Sequence, residues 1–154
     1  MIKLKNLEET NKFAEKIAGL VSPGAIIFLK GDLGTGKTTF AKAFAKALGT
    51  DAKSPSFGLV NIYEGDQVIS HLDLYRLKSY EEALGIGIEE ILDDDSIKLI
   101  EWPEILGDEP YDLSITFSRD GIDGRAVEIE GPMAEEVLCC LLYTSPSPRD
   151  ATLS

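Results

Sequence analysis

The stretch GDLGTGKTTF, residues 31–40, constrains the fold of this 154-residue chain more than any other feature. The apolar run AIIFLK precedes it, and AKAFAKALG, which is typical of a helix, follows it. Gly31 and Gly36, followed by Lys37 and Thr38, fit the phosphate-binding P-loop pattern G-x-x-x-x-G-K-[ST], which joins a strand to a helix. A glycine-rich turn without a ligand is the alternative, but the flanking strand and helix argue against it. We therefore predict a nucleotide-binding α/β domain.

The chemistry of such a loop predicts the role of its residues. Glycines let the backbone curl so that successive N–H groups face the phosphates, and the helix N-terminus adds a positive partial charge. Lys37 is expected to reach the β- and γ-phosphates and to take part in catalysis, and the Thr38 hydroxyl is expected to ligate Mg²⁺. The predicted nucleotide-binding residues of the loop are Gly31, Leu33, Gly34, Thr35, Gly36, Lys37, Thr38 and Thr39.

Two acidic residues stand where apolar strands are predicted to end. The run VISHL leads to Asp73, and IKLI leads to Glu101. Carboxylates at the carboxyl ends of strands in an open α/β sheet point into the ligand crevice, where they can hold a metal or position water. Mg²⁺ is usually held by few protein carboxylates, so two are enough. The residues alone leave open which acid binds the metal directly, and each could instead be a surface charge.

The single histidine and the single tryptophan lie beside these acids. His71 alternates with Asp73, so both should face the same side of the strand. A general base is one interpretation of His71, but a packed or hydrogen-bonded histidine is favoured. Trp102 is expected in the core or in the wall of the pocket.

The remaining pattern predicts a mixed, mostly parallel central sheet flanked by helices, the α/β class of the P-loop NTPases. Asn6 is predicted to cap a first helix, and a second helix is predicted at residues 37–48 with Gly49 as its C-cap. Further helices are predicted after Ser79 and from Ile88. Strands are predicted at residues 25–29, 59–63, 67–72, 97–100, 113–117 and 125–130. The second and third of these strands, and the last two, should form antiparallel hairpins.

Composition limits the setting in which such a domain works. Lys and Arg number 15 against 27 Asp and Glu, which gives a net charge of −12. Because phosphate contacts supply most of the affinity for nucleic acids, direct nucleic-acid binding is not expected. No apolar run approaches the roughly 18 residues of a membrane span, and no signal-peptide pattern opens the chain. We therefore expect a cytoplasmic protein without membrane contact.

Missing signatures narrow the nucleotide chemistry. No N-K-x-D guanine signature is present, which favours ATP over GTP. A small-molecule kinase would usually bring several arginines in a closing lid. Before residue 140 the arginines are only Arg76, Arg119 and Arg125, which are widely spaced. The sequence therefore disfavours a stand-alone kinase.

PGAIIFLKGDLGTGKTTFAKAFAKALG is followed by SPSFGLVNIY, HLDLYRL, LGIGIEEIL and IEWPE. In combination, these motifs resemble the bacterial TsaE (YjeE) family, and the resemblance extends over residues 8–130. HLDLYRL and EWP, at their spacing after the P-loop, are far more specific than the P-loop itself. The chain departs from the family's usual S-P-T-[FY] at Ser56, which keeps the hydroxyl and loses a methyl group.

The resemblance implies an ATPase, weak alone, that is needed to make N6-threonylcarbamoyladenosine in tRNA with partners similar to TsaB and TsaD. The tRNA would be held by those partners. A stand-alone small-molecule kinase and a nucleotide-gated binding subunit, in which hydrolysis is incidental, are the alternative functions.

The resemblance also implies roles for single residues. Thr38 and Glu101 would ligate Mg²⁺, and Asp73 would position or activate the attacking water. Residues 54–57 would form a switch-like loop. Gly124 would bind the nucleotide, together with the arginine that follows it.

The last fifteen residues, CLLYTSPSPRDATLS, differ in character from the rest of the chain. Residues 140–150 resemble the conceptual translation of a transposase sequencing adapter, so we predict a P-loop ATPase domain at residues 1–139 and a non-native, disordered tail at residues 140–154. A native Ser/Pro-rich tail is the alternative and would also be disordered. Cys139 and Cys140 form neither a disulfide framework nor a metal spacing, which is typical of a reducing compartment.

Overall fold

The computed structural model describes residues 1–32, 34–56 and 59–143, which contain eight strands and five α-helices. The strands are β1 (Ile2–Leu4), β2 (Ile26–Lys30), β3 (Asp51–Ser56), β4 (Val60–Glu64), β5 (Ile69–Asp73), β6 (Ile97–Glu101), β7 (Leu113–Asp120) and β8 (Gly124–Glu130). The helices are α1 (Leu7–Ala18), α2 (Lys37–Ala47), α3 (Tyr80–Gly85), α4 (Ile88–Asp93) and α5 (Ala134–Tyr143), and a 3₁₀ helix (Pro103–Leu106) follows β6. Over these described ranges, none of the helices has the length and apolar character needed to cross a membrane.

The eight strands form one mixed sheet in the order β1-β8-β7-β2-β6-β5-β4-β3. The four central strands, β7, β2, β6 and β5, are parallel to one another, and antiparallel pairs extend the sheet on both sides. Only β8 and β4 run against the others, so six of the eight strands share one direction. The predicted fold class, a mixed and mostly parallel α/β sheet flanked by helices, is confirmed.

Helices cover both faces of the sheet because its central strands are apolar on both sides. On one face, α1, α2 and α5 bury a core that contains a cluster of phenylalanine rings. The ring of Phe40 lies 5.7 Å from those of Phe13 and Phe117 and 5.9 Å from that of Phe44, measured between centroids. On the other face, α3, α4 and the 3₁₀ helix pack around Phe28 and neighbouring aliphatic residues. Helix α2, which carries the P-loop lysine, is thereby anchored by its buried side.

Helix starts follow the capping signals of the sequence. Asn6 caps α1 and Ser79 caps α3, each accepting a hydrogen bond at its side-chain oxygen from the backbone N–H three residues later, at 3.0 and 3.2 Å. Both predictions are confirmed. The predicted end of α2 is wrong by one residue: Leu48 is the C-cap, and Gly49 follows it with φ of +70°, a conformation that favours glycine.

The two predicted hairpins are confirmed, since β4 pairs antiparallel with β5, and β7 with β8. Strands β1 and β3 were not predicted. β1 has three residues, too few to show an alternating pattern. β3 contains Pro55, which is tolerated because β3 lies at the edge of the sheet. Residues 54–56 therefore belong to a strand rather than to the expected switch-like loop, and residue 57 lies outside the described residues.

Helix α5 continues beyond the predicted end of the domain at residue 139. It runs from Ala134 to Tyr143, and Leu141 packs against the core beneath α1 and α2. The helical structure of residues 140–143 thus differs from the disorder predicted for them, because an apolar residue there finds a surface to cover. Residues 144–154 lie outside the described residues.

Candidate functional site

Glycines in left-handed conformations shape the loop between β2 and α2. Gly31 leaves β2 with φ of +130°, and Gly36 precedes α2 with φ of +106°, which residues with a Cβ rarely adopt. A Cβ at Gly31 would also collide with the backbone carbonyl of Phe117 on β7. The buried Thr35 donates a hydrogen bond from its hydroxyl to the carbonyl of Asp32 at 2.7 Å. The loop therefore curls tightly around the N-terminus of α2, as a phosphate-binding loop must.

Lys37, the first residue of α2, is only 4% exposed. Its Nζ donates a hydrogen bond to the carbonyl of Gly31 and lies 3.8 Å from the centroid of the Trp102 ring, within cation–π range. Burial lowers the pKa of Lys37 below its ordinary value, and the nearby carboxylates of Glu101 and Asp73 oppose that shift. The ammonium group is thus held over the loop, between an aromatic ring and two acids.

Asp73 and Glu101 end the neighbouring parallel strands β5 and β6 and are directly opposite each other in the register. Glu101 is 4% exposed, and its Oε2 accepts a hydrogen bond from the Thr38 hydroxyl at 3.3 Å. Asp73 is half-buried, and its Oδ1 accepts a hydrogen bond from the N–H of Tyr75 at 3.0 Å. The two acids predicted from separate strand ends therefore meet beside the start of α2.

A cavity of about 250 Å³ joins these groups. Its lining residues are Gly34, Gly36, Lys37, Thr38, Thr39, Asp73, Glu101, Trp102 and Arg125. Three residues predicted to bind nucleotide are not in this lining. The carbonyl of Gly31 accepts a hydrogen bond from Lys37, the hydroxyl of Thr35 donates one within the loop, and Gly124 is buried at the start of β8. Leu33, also predicted, lies outside the described residues.

The resemblance implied that Gly124 and Arg125 both approach the nucleotide, and of these two residues only Arg125 lines the cavity. Its Nη1 donates to the carbonyl of Gly124 at 2.8 Å, whereas its Nε is buried and has no hydrogen-bond partner within the described ranges. A Cβ on Gly36 would lie 3.5 Å from this Nε, so the guanidinium group rests against the loop. Since an unpaired buried donor costs free energy, Arg125 is prepared for an acceptor such as a phosphate oxygen.

A second cavity of about 120 Å³ adjoins the first, because both are lined by Gly36, Thr39 and Arg125. Its other lining residues are Leu7, Thr10, Phe117 and Asp123. Together the two cavities extend from the strand-end acids to the beginning of α1. The lining residues come from distant parts of the chain, so no local sequence signal marks this second cavity.

A larger groove of about 560 Å³ lies between α1 and α2. Its charged lining residues are Glu15 and Lys46, and its other lining residues are mostly small or apolar. Neither the loop glycines nor the strand-end acids reach this groove. Its size therefore does not make it the chemical site, and we place that site in the smaller cavity at the loop.

Trp102 forms part of the cavity wall, as the sequence predicted. Its backbone is left-handed, with φ and ψ both +57°, and it is the one non-glycine residue with positive φ in the part of the chain that the structure describes. Its ring lies 4.9 Å from the ring of Tyr75. Such conformations are costly and cluster at functional sites. Here the left-handed turn after β6 holds the indole over Lys37.

His71 is buried on β5, with 5% of its surface exposed, and is hydrogen-bonded, which agrees with the interpretation favoured from the sequence. Its Nε2 lies 2.6 Å from Oε2 of Glu101. Because an ionised carboxylate only accepts hydrogen bonds, Nε2 carries the hydrogen in this contact. The ring of Tyr63 lies 6.3 Å away between centroids, and burial, followed by the charge of Glu101, raises the pKa of Tyr63.

The oxygens of Thr38 and Glu101 fit a hard divalent cation such as Mg²⁺, and at 3.3 Å they are close enough to share one ion. Among the described residues, no group of three or more His, Cys, Asp or Glu side chains could hold a metal by itself. A cation here would need further oxygens from phosphates and water, which is the usual mode of Mg²⁺ binding with nucleotides.

The parallel core, the glycine loop at the carboxyl end of β2 and the acids that end β5 and β6 define an α/β domain of the P-loop NTPase class. Residues 4–127 match the sequence model of the family described as "Threonylcarbamoyl adenosine biosynthesis protein TsaE". The chain therefore belongs to the TsaE family, which confirms the resemblance seen in its motifs.

Similar proteins cover most of the chain. Proteins named "tRNA threonylcarbamoyladenosine biosynthesis protein TsaE" from Bacillus subtilis and Borreliella burgdorferi are 35% identical over 127 residues and 39% identical over 137 residues. The alignment with the Bacillus subtilis protein covers 79% of each chain. The alignment with the Borreliella burgdorferi protein covers 85% of this chain and 99% of the relative. A relative from Rickettsia felis is 44% identical over 110 residues. That alignment covers 69% of this chain but only 64% of the relative, so this chain spans less than two thirds of the relative's length. The crystal structure of Bacillus subtilis YdiB matches with a TM-score of 0.71 and 31% identity, over 91% of this chain and 90% of that one.

Proposed function

We propose that this chain binds ATP with Mg²⁺ and hydrolyses it to ADP and phosphate, as an accessory subunit in the formation of N6-threonylcarbamoyladenosine in tRNA. The observation that carries the proposal is the convergence of Lys37, Thr38, Asp73 and Glu101 on one cavity at the glycine loop. Membership of the TsaE family, named for threonylcarbamoyl adenosine biosynthesis, supports the pathway.

Phosphate binding would use the N-terminus of α2, Lys37 and Arg125. Lys37 would exchange its hydrogen bond to Gly31 and its contact with the Trp102 ring for phosphate oxygens. Burial lowers the pKa of Lys37 and a nearby anion raises it, so phosphate binding and protonation of Lys37 support each other. Because Arg125 lines both cavities, we assign it to the junction between the phosphates and the nucleoside.

In the hydrolysis step, the oxygen of a water molecule attacks the γ-phosphorus. The bond between that phosphorus and the β–γ bridging oxygen breaks, and ADP leaves with the electron pair. Asp73 would orient the water and take up its proton. One oxygen of Asp73 accepts the N–H of Tyr75, which fixes the carboxylate and leaves its other oxygen for the water. Mg²⁺, when held by Thr38 and Glu101, would neutralise charge on the phosphates.

We further propose partners similar to TsaB and TsaD, and the cytoplasm as the place of action. The net charge of −12 disfavours contact between this chain and a phosphate backbone, so the tRNA would be held by the partners. A subunit of this kind couples a nucleotide cycle to a reaction that occurs on another protein.

Reconstitution tests the proposal. The full chain is incubated with ATP and Mg²⁺, alone and with TsaB-like and TsaD-like proteins and tRNA, and phosphate release and modified tRNA are measured. We expect slow hydrolysis alone and repeated rounds of tRNA modification in the complete mixture. Lys37→Ala should weaken ATP binding at least about tenfold and abolish both activities, because it removes a phosphate-binding cation. Lys42→Ala, an exposed lysine on the same helix, is the matched control and should change neither.

Two outcomes would contradict the proposal in different ways. A phosphorylated small-molecule acceptor, formed from ATP by the chain alone, would indicate a kinase. Repeated rounds of tRNA modification by a variant that binds ATP but does not hydrolyse it would indicate a nucleotide-gated binding subunit.

A further inference from the structure

The buried carboxylate of Glu101 has two hydrogen-bond donors on the same oxygen. Oε2 accepts from Nε2 of His71 at 2.6 Å and from the hydroxyl of Thr38 at 3.3 Å. The contact with His71 is much shorter than the contact with Thr38, and the side chains of His71 and Glu101 are both almost fully buried. The orientation of this carboxylate is therefore set mainly by His71.

We propose that His71 is a positioning residue for the divalent cation: its hydrogen bond to Oε2 holds the carboxylate of Glu101 in the orientation in which it can bind the cation together with Thr38. The inference rests on the proposed function, because it assumes that Glu101 binds a cation together with a nucleotide. Carboxylates that bind metals are commonly fixed by such hydrogen bonds, and loss of the fixing group typically lowers metal affinity about 10- to 100-fold.

The sheet register explains how His71 reaches Glu101. On the paired strands β5 and β6, His71 is opposite Leu99, and Asp73 is opposite Glu101. The imidazole therefore extends diagonally towards the end of the neighbouring strand, and this leaves the position nearest the cavity to Asp73. Strand β5 thus carries His71, which holds Glu101 of β6, and, two residues later, the second acid, Asp73.

The second ring nitrogen argues against a purely structural histidine. Nδ1 of His71 is buried and has no hydrogen-bond partner within the described ranges. A histidine retained for packing and polar satisfaction alone would be expected to pair both nitrogens. The surroundings instead satisfy the one nitrogen that contacts Glu101.

Three substitutions separate positioning from packing. His71→Gln keeps an N–H donor at about the distance of Nε2 from the backbone. His71→Asn carries the same amide group on a shorter side chain that cannot reach Glu101. His71→Leu removes the donor and keeps most of the volume. Each full-length variant is checked by its melting temperature before binding is measured.

The measurement is ADP affinity by calorimetry, first in EDTA and then at increasing Mg²⁺ concentrations. We expect all variants to bind ADP in EDTA within about twofold of the wild type. The Mg²⁺ concentration that gives half of the gain in affinity should rise at least about tenfold in the Leu and Asn variants and remain within about threefold of the wild type in the Gln variant. If the Leu variant does not fold, the comparison of Gln with Asn decides.

The inference is overturned if the Asn and Gln variants have the same Mg²⁺ dependence, or if a folded Leu variant keeps that of the wild type. A wild-type protein that does not bind ADP, or binds it without any effect of Mg²⁺, overturns the proposed function and this inference together. The wild-type titration therefore distinguishes the two failures. A double substitution adds a second check: with Glu101→Gln already present, His71→Leu should have no further effect on Mg²⁺ dependence.

Discussion

Replacing Asp73 by Asn is the sharpest test of the hydrolysis step, because it removes charge and basicity with little change of shape. The Asn side chain keeps an oxygen that can accept the N–H of Tyr75, now 3.0 Å from Oδ1. The backbone N–H of residue 73 donates to the carbonyl of Leu59 at 2.9 Å, and the substitution leaves that bond unchanged. The end of β5 should therefore keep its conformation.

The expected loss follows from the role assigned to this carboxylate. A general base that removes a proton in the transition state contributes about 10²- to 10⁴-fold to the rate. Each factor of ten corresponds to about 1.4 kcal/mol, so Asp73→Asn should raise the activation free energy by about 3–5 kcal/mol. ATP affinity should stay the same or increase, because the substitution removes a negative charge beside the phosphates. A large effect on rate with none on binding is the signature of this role.

The assay is single-turnover hydrolysis with the protein in excess over ATP, paired with calorimetric ATP affinity. Asp66→Asn is the control, since Asp66 is an exposed acid in the turn before β5, at the opposite end of the same strand. Hydrolysis by Asp73→Asn within about threefold of the wild-type rate would refute the role of Asp73 in the chemical step. A drop of more than about tenfold in ATP affinity would instead make Asp73 a binding residue.

Three further predictions concern other parts of the site and the fold. Burial lowers the pKa of Lys37 in the folded protein, and phosphate binding needs the protonated form, so ATP affinity should fall before the pH reaches the ordinary lysine value of 10.5. Affinities measured between about pH 7 and 10 should show this fall in the wild type and no change with pH in Lys37→Ala. Phe40→Ala should lower the free energy of unfolding in urea by about 3–5 kcal/mol, because the ring is fully buried among three others, and a loss below about 1 kcal/mol would contradict this packing. A chain truncated after residue 139 should melt a few degrees below one truncated after residue 143, since only the longer chain keeps Leu141 on the core; equal melting temperatures would mean that this end of α5 contributes nothing.

The sequence predicted the centre of the site because its signals are local. The P-loop pattern fixes a turn and a helix start within eight residues, and Lys37 and Thr38 occupy its last two positions. Asp73 and Glu101 were found by a rule of α/β sheets, that acids at the carboxyl ends of parallel strands point into the crevice. The rule succeeded because both strands lie in the parallel core, directly beside each other.

The rest of the site depends on contacts between distant segments, which a single sequence does not reveal. Only the family resemblance placed Arg125 near the nucleotide; its contact with the loop arises because β8 pairs with β7 and β7 with β2, and no local pattern encodes these pairings. The hydrogen bond between His71 and Glu101 depends on the register of β5 with β6. The left-handed backbone of Trp102 opposes local preference and is imposed by the turn into the 3₁₀ helix. In each case the tertiary structure overrides or supplements the local signal.

The charge balance of the cavity constrains how a nucleotide can bind. The cations Lys37 and Arg125 face the anions Asp73 and Glu101, so the wall is neutral overall, while the whole chain carries −12. Long-range attraction cannot draw a multiply negative nucleotide into such a cavity. Binding must rest on short-range contacts with loop N–H groups, the start of α2 and a divalent cation. Raising monovalent salt should therefore leave ATP affinity nearly unchanged in the presence of Mg²⁺, whereas chelation of Mg²⁺ should weaken it strongly. A steep loss of affinity with salt would show that long-range attraction governs binding after all.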